Sequence, residues 1–248
     1  MPGQFRNLTA AEWTLLARPR LLLMVCASAL TGALLARSGT WTDIVRASLA
    51  VGLFSFAGTL INQAQERHID ALMSRTRNRP LATGRLSVKA ALVLALLLLA
   101  AGGGLLGHRP VALVLGVTAL VLYNLVYTPL KSRTPLALFP GAVSGALPPL
   151  VGWAACGRSL LDGGVLLFAL LLAVWQVPHF LLLMLKYRDD YRLAGLPVLA
   201  EQLDRTRLHL VVACWILAVG SVLVFLGTGP GVGQSARLAM PVLGSWLI

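Results

Sequence analysis

Seven apolar runs, near 20–37, 44–65, 88–107, 110–128, 136–156, 163–186 and 207–228, restrict this chain more than any other feature of its sequence. A bilayer core of about 30 Å is crossed by roughly 20 helical residues, so each run is long enough to span a membrane. In hydrocarbon every backbone polar group must be satisfied within the protein, and an open chain achieves this only as α-helices. The expected fold class is therefore all-α, a polytopic transmembrane helical bundle of seven spans plus a partial eighth from Arg237 to Ile248. A composition 57% hydrophobic and only 12% charged excludes a soluble core of ordinary type. Residues 1–248 are read as one transmembrane domain. Pro129 and Pro135 punctuate the turn after the fourth run, while Pro140, Pro148, Pro149 and Pro178 fall inside runs and are expected to kink them.

The formal net charge is +12, which in a soluble chain would suggest nucleic acid. Here 16 of the 21 lysines and arginines fall in the N-terminal arm and in the loops after spans two, four and six. Positive loops stay cytoplasmic, so the charge reads as bilayer orientation, with the N-terminus and those loops in the cytoplasm and no nucleic-acid partner. The first 19 residues lack a continuous apolar run and contain Glu12, so neither a cleavable signal nor a mitochondrial presequence is expected. The expected location is a bacterial plasma (inner) membrane. Cys26, Cys156 and Cys214 sit singly inside apolar runs, without metal-ligand spacing, and are expected to be small core residues.

Against this background the nine acidic residues are informative. Glu66 and Asp70 end span two, and Asp189, Asp190, Glu201 and Asp204 follow span six, so six of the nine occupy two loops on one side. Asn62, Glu66 and Asp70 are spaced i, i+4, i+8, which holds three oxygen-bearing side chains within roughly 80° of one helical face. Hard cations such as Mg²⁺ prefer such oxygens and are commonly shared between one or two carboxylates and substrate phosphates. Arg75, Arg77 and Arg79 alternate ahead of Pro80, which fits an extended loop, and guanidinium forks suit phosphate oxygens. Arginines in a cytoplasmic loop also serve orientation alone. Carboxylates add nothing to orientation, and their clustering favours a Mg²⁺-diphosphate cradle.

The segment "NQAQERHIDALMSRTRNRPLATGRLS" resembles the first acidic motif of the UbiA-type intramembrane prenyltransferases. "YNLVYTPLKSRTPLALFPGAVSGALPPLVGW" and "WQVPHFLLLMLKYRDDYRLAGLPVL" are similar to the corresponding segments of the heme O synthase branch of that family, and the likeness runs from about Arg18 to Leu226. The resemblance implies a single prenyltransferase domain that transfers the farnesyl group of farnesyl diphosphate to a vinyl group of heme B, with water addition, in a membrane lipid setting. It further implies that Asn62, Glu66 and Asp70 hold a first Mg²⁺, that Asp189 and Asp190 hold a second, and that Lys131 approaches the diphosphate. Heme O would pass to a heme A synthase or a terminal oxidase. Glu66 stands where the family usually has Asp, and the family usually has about nine spans, so the resemblance implies a site whose lipid-facing wall is shortened.

Beyond the acids, His179 follows Pro178 inside span six, where a polar side chain is costly and tends to line a cavity. It reads as an axial ligand to heme iron, as a donor to a propionate, or as a hydrogen bond between helices. Lys186 and Arg188 flank the second acidic motif and could bind diphosphate or a propionate. Trp153, Trp175 and Gln176 are candidate porphyrin neighbours, although Trp near span ends also serves as an anchor. A secondary transporter would place its charges near the bilayer midplane, whereas these acids sit at one face. The closer alternative is a prenyltransferase of the same fold acting on a quinone precursor or a chlorin.

Overall fold

The computed structural model describes residues 8–197, 199 and 205–228, and all regular structure among them is helical. Helices α1 (Ala10–Ala17) and α2 (Pro19–Leu35) meet at a 44° bend and together form one candidate span. Six more follow: α3 (Trp41–Leu72), α4 (Val88–Leu106), α5 (Pro110–Val121) with its continuation to Lys131, the pair α6 (Leu138–Ala146) and α7 (Pro148–Ala155), α8 (Gly163–Lys186), and α10 (Arg205–Thr228). A short helix, α9 (Arg188–Leu193), caps α8. The protein is thus a multi-pass all-α membrane bundle, as the apolar runs require. Glu201, Asp204 and the start of an eighth span at Arg237 lie outside the described residues.

The elements begin where the local chemistry lets them. Thr40 and Asp43 form a capping box at the start of α3, with Asp43 N donating to Thr40 Oγ1 at 3.2 Å and Thr40 N to Asp43 Oδ2 at 3.0 Å. Asp43 is also met by His108 Nε2 at 3.2 Å and Arg109 at 3.5 Å, which ties this end of α3 to the α4–α5 turn. At 32 residues α3 is about 48 Å long, more than the hydrocarbon core needs. Its last turns, bearing Asn62, Glu66 and Asp70, can therefore stand at or beyond the membrane face while remaining helical.

Close helix contacts set the bundle. α3 packs on α2 and α4, α2 on α7, α5 on α7, α6 on α8, and α8 on α10. A methyl group on Gly32 would collide with the Pro149 carbonyl, and one on Gly152 with that of Ala29, so α2 and α7 touch backbone to backbone. Outward faces carry Leu96, Leu97, Val114, Leu125 and Leu217, apolar side chains suited to lipid.

Two expectations from sequence are corrected here. Pro140 lies in the first turn of α6, where the missing N–H had no intrahelical partner to lose, so it does not break a span. The break falls at Leu147, directly ahead of Pro148 and Pro149 as expected of that pair, and Pro178 lies within the single helix α8. Of the cysteines, only Cys156 is buried; Cys26 is half-buried and Cys214 is exposed on α10, a helix packed mainly along the α8 side.

Candidate active site

A cavity of about 310 Å³ opens between α3, the α5 continuation, α6, α7 and α8. Its lining changes character along its length. Glu66, Asp70, Arg75, Arg79 and Lys131 gather at one end, whereas Val25, Val51, Phe54 and Val151 form the other. This polarity follows from the long α3, whose apolar part ends at the turn before Asn62.

At the charged end the acids are already paired. Lys131 Nζ lies 3.0 and 3.2 Å from the two Glu66 carboxylate oxygens, and Arg79 Nη1 lies 2.7 Å from Asp70 Oδ2. All four side chains are largely buried, with Arg79 at 7% and Asp70 at 4% exposure. Buried charges persist only when paired and hydrogen-bonded, so each carboxylate and its cation hold one another in position. Asn62 Nδ2 donates to Thr128 Oγ1 at 3.0 Å, which turns the amide nitrogen away and leaves the amide oxygen for a ligand. Asp70 likewise keeps Oδ1 beyond its Arg79 contact.

Lys131 reaches Glu66 because the helix ahead of it is widened. From Leu122 to Tyr127 the α5 continuation is π-helical, and a last α turn, Thr128–Lys131, completes the segment. Thr128 Oγ1 donates to the Tyr123 carbonyl at 2.8 Å, five residues back, and Gln65 Nε2 donates to the Asn124 carbonyl at 3.1 Å. The Tyr123 carbonyl also accepts the Thr128 N–H in the π pattern, whereas the Asn124 carbonyl, which Pro129 has no N–H to meet, is satisfied by the Gln65 side chain. The wide turn aims Tyr123, Tyr127 and Lys131 into one cavity, with the two tyrosine rings stacked 5.7 Å apart and Tyr127 stacked on Phe180 at 6.2 Å.

The segment after α3 is a run of tight turns rather than the extended loop expected from alternating arginines. Arg77 N donates to Met73 O at 2.9 Å, Arg79 N to Thr76 O at 3.0 Å, and Thr83 N to Arg79 O at 2.9 Å. Thr76 Oγ1 closes the coil onto the Asp70 carbonyl at 3.0 Å. This coiling buries Arg79 and leaves Arg77 in solvent, a separation that alternation alone does not give. Burial pulls the Arg79 guanidinium below its ordinary value, and Asp70 opposes that pull, so the group stays charged.

Asp190 on α9 fastens the same loop. It accepts from Ser74 N at 3.1 Å, Ser74 Oγ at 2.8 Å and Arg75 N at 3.4 Å. The Ser74 hydroxyl bond, followed by the backbone bonds from Ser74 and Arg75 and the Arg75 charge, holds its carboxyl below the usual value against the cost of burial. A carboxyl so lowered stabilises the folded arrangement above its unfolded pKa and loses that contribution as pH falls through the folded one. A nitroxide label on a cysteine at exposed Asn78 should keep the same restricted mobility from neutral pH down to about 4 and loosen only below that. Loosening between pH 6 and 5 would show that Asp190 is not the group that holds the loop.

The UbiA prenyltransferase family matches residues 25–248, nearly the whole described bundle. The chain belongs to the UbiA prenyltransferase family. Within it, the chain is 40% identical over 233 residues to the protoheme IX farnesyltransferase of Geobacter sulfurreducens, covering 91% of this chain and 83% of the relative. It is 41% identical over 221 residues to the protoheme IX farnesyltransferase of an Anaeromyxobacter species, covering 87% and 72%. Among solved structures, a UbiA homolog from Archaeoglobus fulgidus bound to GPP and Mg²⁺ superimposes with a TM-score of 0.75 at 16% identity, over 96% of this chain and 87% of that one. The apo structure of a UbiA homolog from Aeropyrum pernix gives 0.74 at 22% identity, over 91% and 86%. These likenesses establish the shared fold, and the protein is a membrane prenyltransferase.

In this UbiA prenyltransferase, Asn62, Glu66, Asp70, Arg75, Arg79, Lys131 and His179 all line the one cavity. Asp189, Asp190, Lys186 and Arg188 do not: Asp189, Lys186 and Arg188 are exposed beside it, and Asp190 points to Ser74. His179 stacks on Trp175 with ring centroids 4.8 Å apart. Gln176 also lines the cavity, its Nε2 donating to Ala142 O and Leu172 O at 3.3 Å, whereas Trp153 lies elsewhere and donates to Ser159 O at 2.8 Å. Sequence reasoning missed Arg18, which lines the cavity from the α1–α2 bend with φ +51°. Its one signal was an Arg-Pro pair opening an apolar run, since the residue before proline is pushed out of the helical region.

Proposed function

We propose that the protein joins the farnesyl group of farnesyl diphosphate to a vinyl group of heme B, with addition of water, releasing diphosphate and heme O. The observation that carries this reading is a cavity charged at one end and apolar at the other, in a chain 40% identical to a protoheme IX farnesyltransferase. Residues 1–248 are treated as one transmembrane prenyltransferase domain.

The charged end suits a cation bridged to a diphosphate. The Asn62 amide oxygen, the Glu66 carboxylate and Asp70 Oδ1 form an all-oxygen donor set, the kind a hard cation selects. Mg²⁺ bound there would draw off negative charge as it develops on the leaving diphosphate. Arg79 and Lys131 would turn from the carboxylates to phosphate oxygens, joined by Arg75 from its place over the Tyr187 ring, so that the existing ion pairs prearrange both halves of the cradle. For a second cation, the resemblance points to Asp189 and to Asp190, which would exchange Ser74 for the ion. Lys186, ending α8, and Arg188, opening α9, are both exposed and would bind diphosphate or a propionate.

In the reaction the allylic C1–O bond breaks and C1 bonds to the terminal vinyl carbon. The cation left beside the porphyrin ring takes up water and releases a proton. The Tyr123 and Tyr127 faces border the region where the allylic cation forms and can stabilise it, while the apolar walls exclude water until the carbon–carbon bond exists. His179, held by Trp175, is assigned to the heme side as an iron ligand or a propionate partner.

The test is the pigment extracted from membranes expressing the chain together with its substrates. Conversion of heme B to a more hydrophobic heme on reversed-phase chromatography is expected. A prenylated quinone precursor or chlorin with unchanged heme B would replace the acceptor and leave the prenyl chemistry standing. Heme O would feed a heme A synthase or a terminal oxidase.

We place the site on the cytoplasmic face of a bacterial plasma membrane, on the ground that 16 of 21 basic residues share that side. A cysteine at Asn78 should resist an impermeant thiol reagent in intact cells, while one at Ser159 should react. The reverse pattern would invert the topology.

A further inference from the structure

At the apolar end of the cavity one aromatic ring, Phe54, stands among the aliphatic side chains of Val25, Val51 and Val151. Phe54 lies on α3 among the cavity residues Phe54, Gly58, Asn62, Glu66 and Asp70, which recur every four positions from floor to charged mouth. Its ring is wedged between two neighbouring helices. A methyl group on Gly116 would come within 2.5 Å of Phe54 Cε2, and one on Gly102 within 2.8 Å of Cε1. The ring therefore fills a slot that only glycines on α5 and α4 leave open. It is 6% exposed and packs in one cluster with Val51 and Val151, which also face the cavity.

We propose that Phe54, clamped between Gly102 and Gly116, is the floor of the prenyl-tail subsite and selects a tail of three isoprene units. The inference rests on the prenyl-transfer reading above and adds the residue that measures the tail. Twelve helical residues separate Phe54 from Glu66, about 18 Å along α3. An extended farnesyl chain spans about 14 Å at roughly 1.3 Å per carbon–carbon step, which leaves the remainder for the diphosphate and its cation. One further isoprene unit adds about 5 Å and runs into the ring; one fewer leaves the floor uncovered. Because the glycine slot blocks sideways movement, the ring cannot swing aside for a longer tail, and close-packed interiors yield little.

The test measures tail-length preference in purified protein with Mg²⁺ and the geranyl, farnesyl and geranylgeranyl diphosphates, in two assays. One is transfer to heme B, read as kcat/KM. The other is binding of the matching non-hydrolysable thiodiphosphates, which needs no acceptor. Phe54→Ala and the milder Phe54→Leu should raise the geranylgeranyl-to-farnesyl ratio about tenfold or more in both assays. Gly116→Ala pushes the ring into the cavity and should shift the ratio towards geranyl. An unchanged length preference in a folded Phe54→Leu protein overturns the floor assignment, whatever the acceptor. If heme B receives no prenyl group from the unsubstituted protein, the acceptor reading fails, and the thiodiphosphate series still decides the floor.

Discussion

Asp70→Asn should lower prenyl transfer by about a thousandfold or more with the protein still inserted in the membrane. The substitution keeps volume but removes one acceptor oxygen and the charge that faces both Arg79 at 2.7 Å and the proposed cation position. Removing a single preorganised donor to developing charge already costs about 10²–10³ in rate in well-studied enzymes, and here a carboxylate that serves the cation is lost together with the orientation of an arginine. Glu66→Gln should act in the same direction, since Glu66 holds Lys131 through both oxygens. The measurement is kcat/KM for prenyl transfer, normalised to protein that elutes as a folded species. Retention of more than a tenth of the activity by Asp70→Asn, or full activity in excess chelator, would remove the metal-diphosphate assignment.

The largest effect on stability should come from Arg79→Met. Breaking a buried ion pair by deleting one partner strands the other charge, at a cost of about 3–5 kcal/mol. Asp70 is almost wholly inside the protein, and the coiled 73–87 loop closes over it through Thr76, so water has little access to compensate. Denaturant unfolding in micelles should show that loss. The double variant Asp70→Asn with Arg79→Met should recover part of it, because no buried charge is then left unpaired. Additive losses in the double variant would mean that the two side chains contribute independently and that the contact is incidental. Arg77→Met, in the same loop but exposed, should be nearly silent by comparison.

Much of the bundle was legible because hydrophobic length is a one-dimensional property. Every apolar run became helical, since a backbone in hydrocarbon has no alternative, although the second continued seven residues past its expected end at 65 and the fifth divided at Leu147. The Asn62, Glu66 and Asp70 face was equally legible, because four-residue spacing on a helix fixes relative direction without knowledge of any neighbour. The basic residues were legible as kinds of charge but not as positions. Arg75, Arg77 and Arg79 suggested an extended strand of guanidinium groups, whereas turn hydrogen bonds coil the loop and bury one of the three.

What the linear order determined was therefore the membrane environment, the seven candidate spans among the described residues, and one acidic face beside a basic loop. Tertiary structure alone decided the rest. The π turn at Leu122–Tyr127 depends on Gln65, from another helix, to satisfy the Asn124 carbonyl. The capture of Asp190 by Ser74 joins residues 116 positions apart, and the seat of Phe54 needs glycines on two other helices to arrive at the same ring. Periodicity reports which way a side chain leaves its own helix. It carries no information about which partner waits there, and in this protein the partners separate two carboxylates paired with buried cations, Glu66 and Asp70, from Asp190, which fastens a loop.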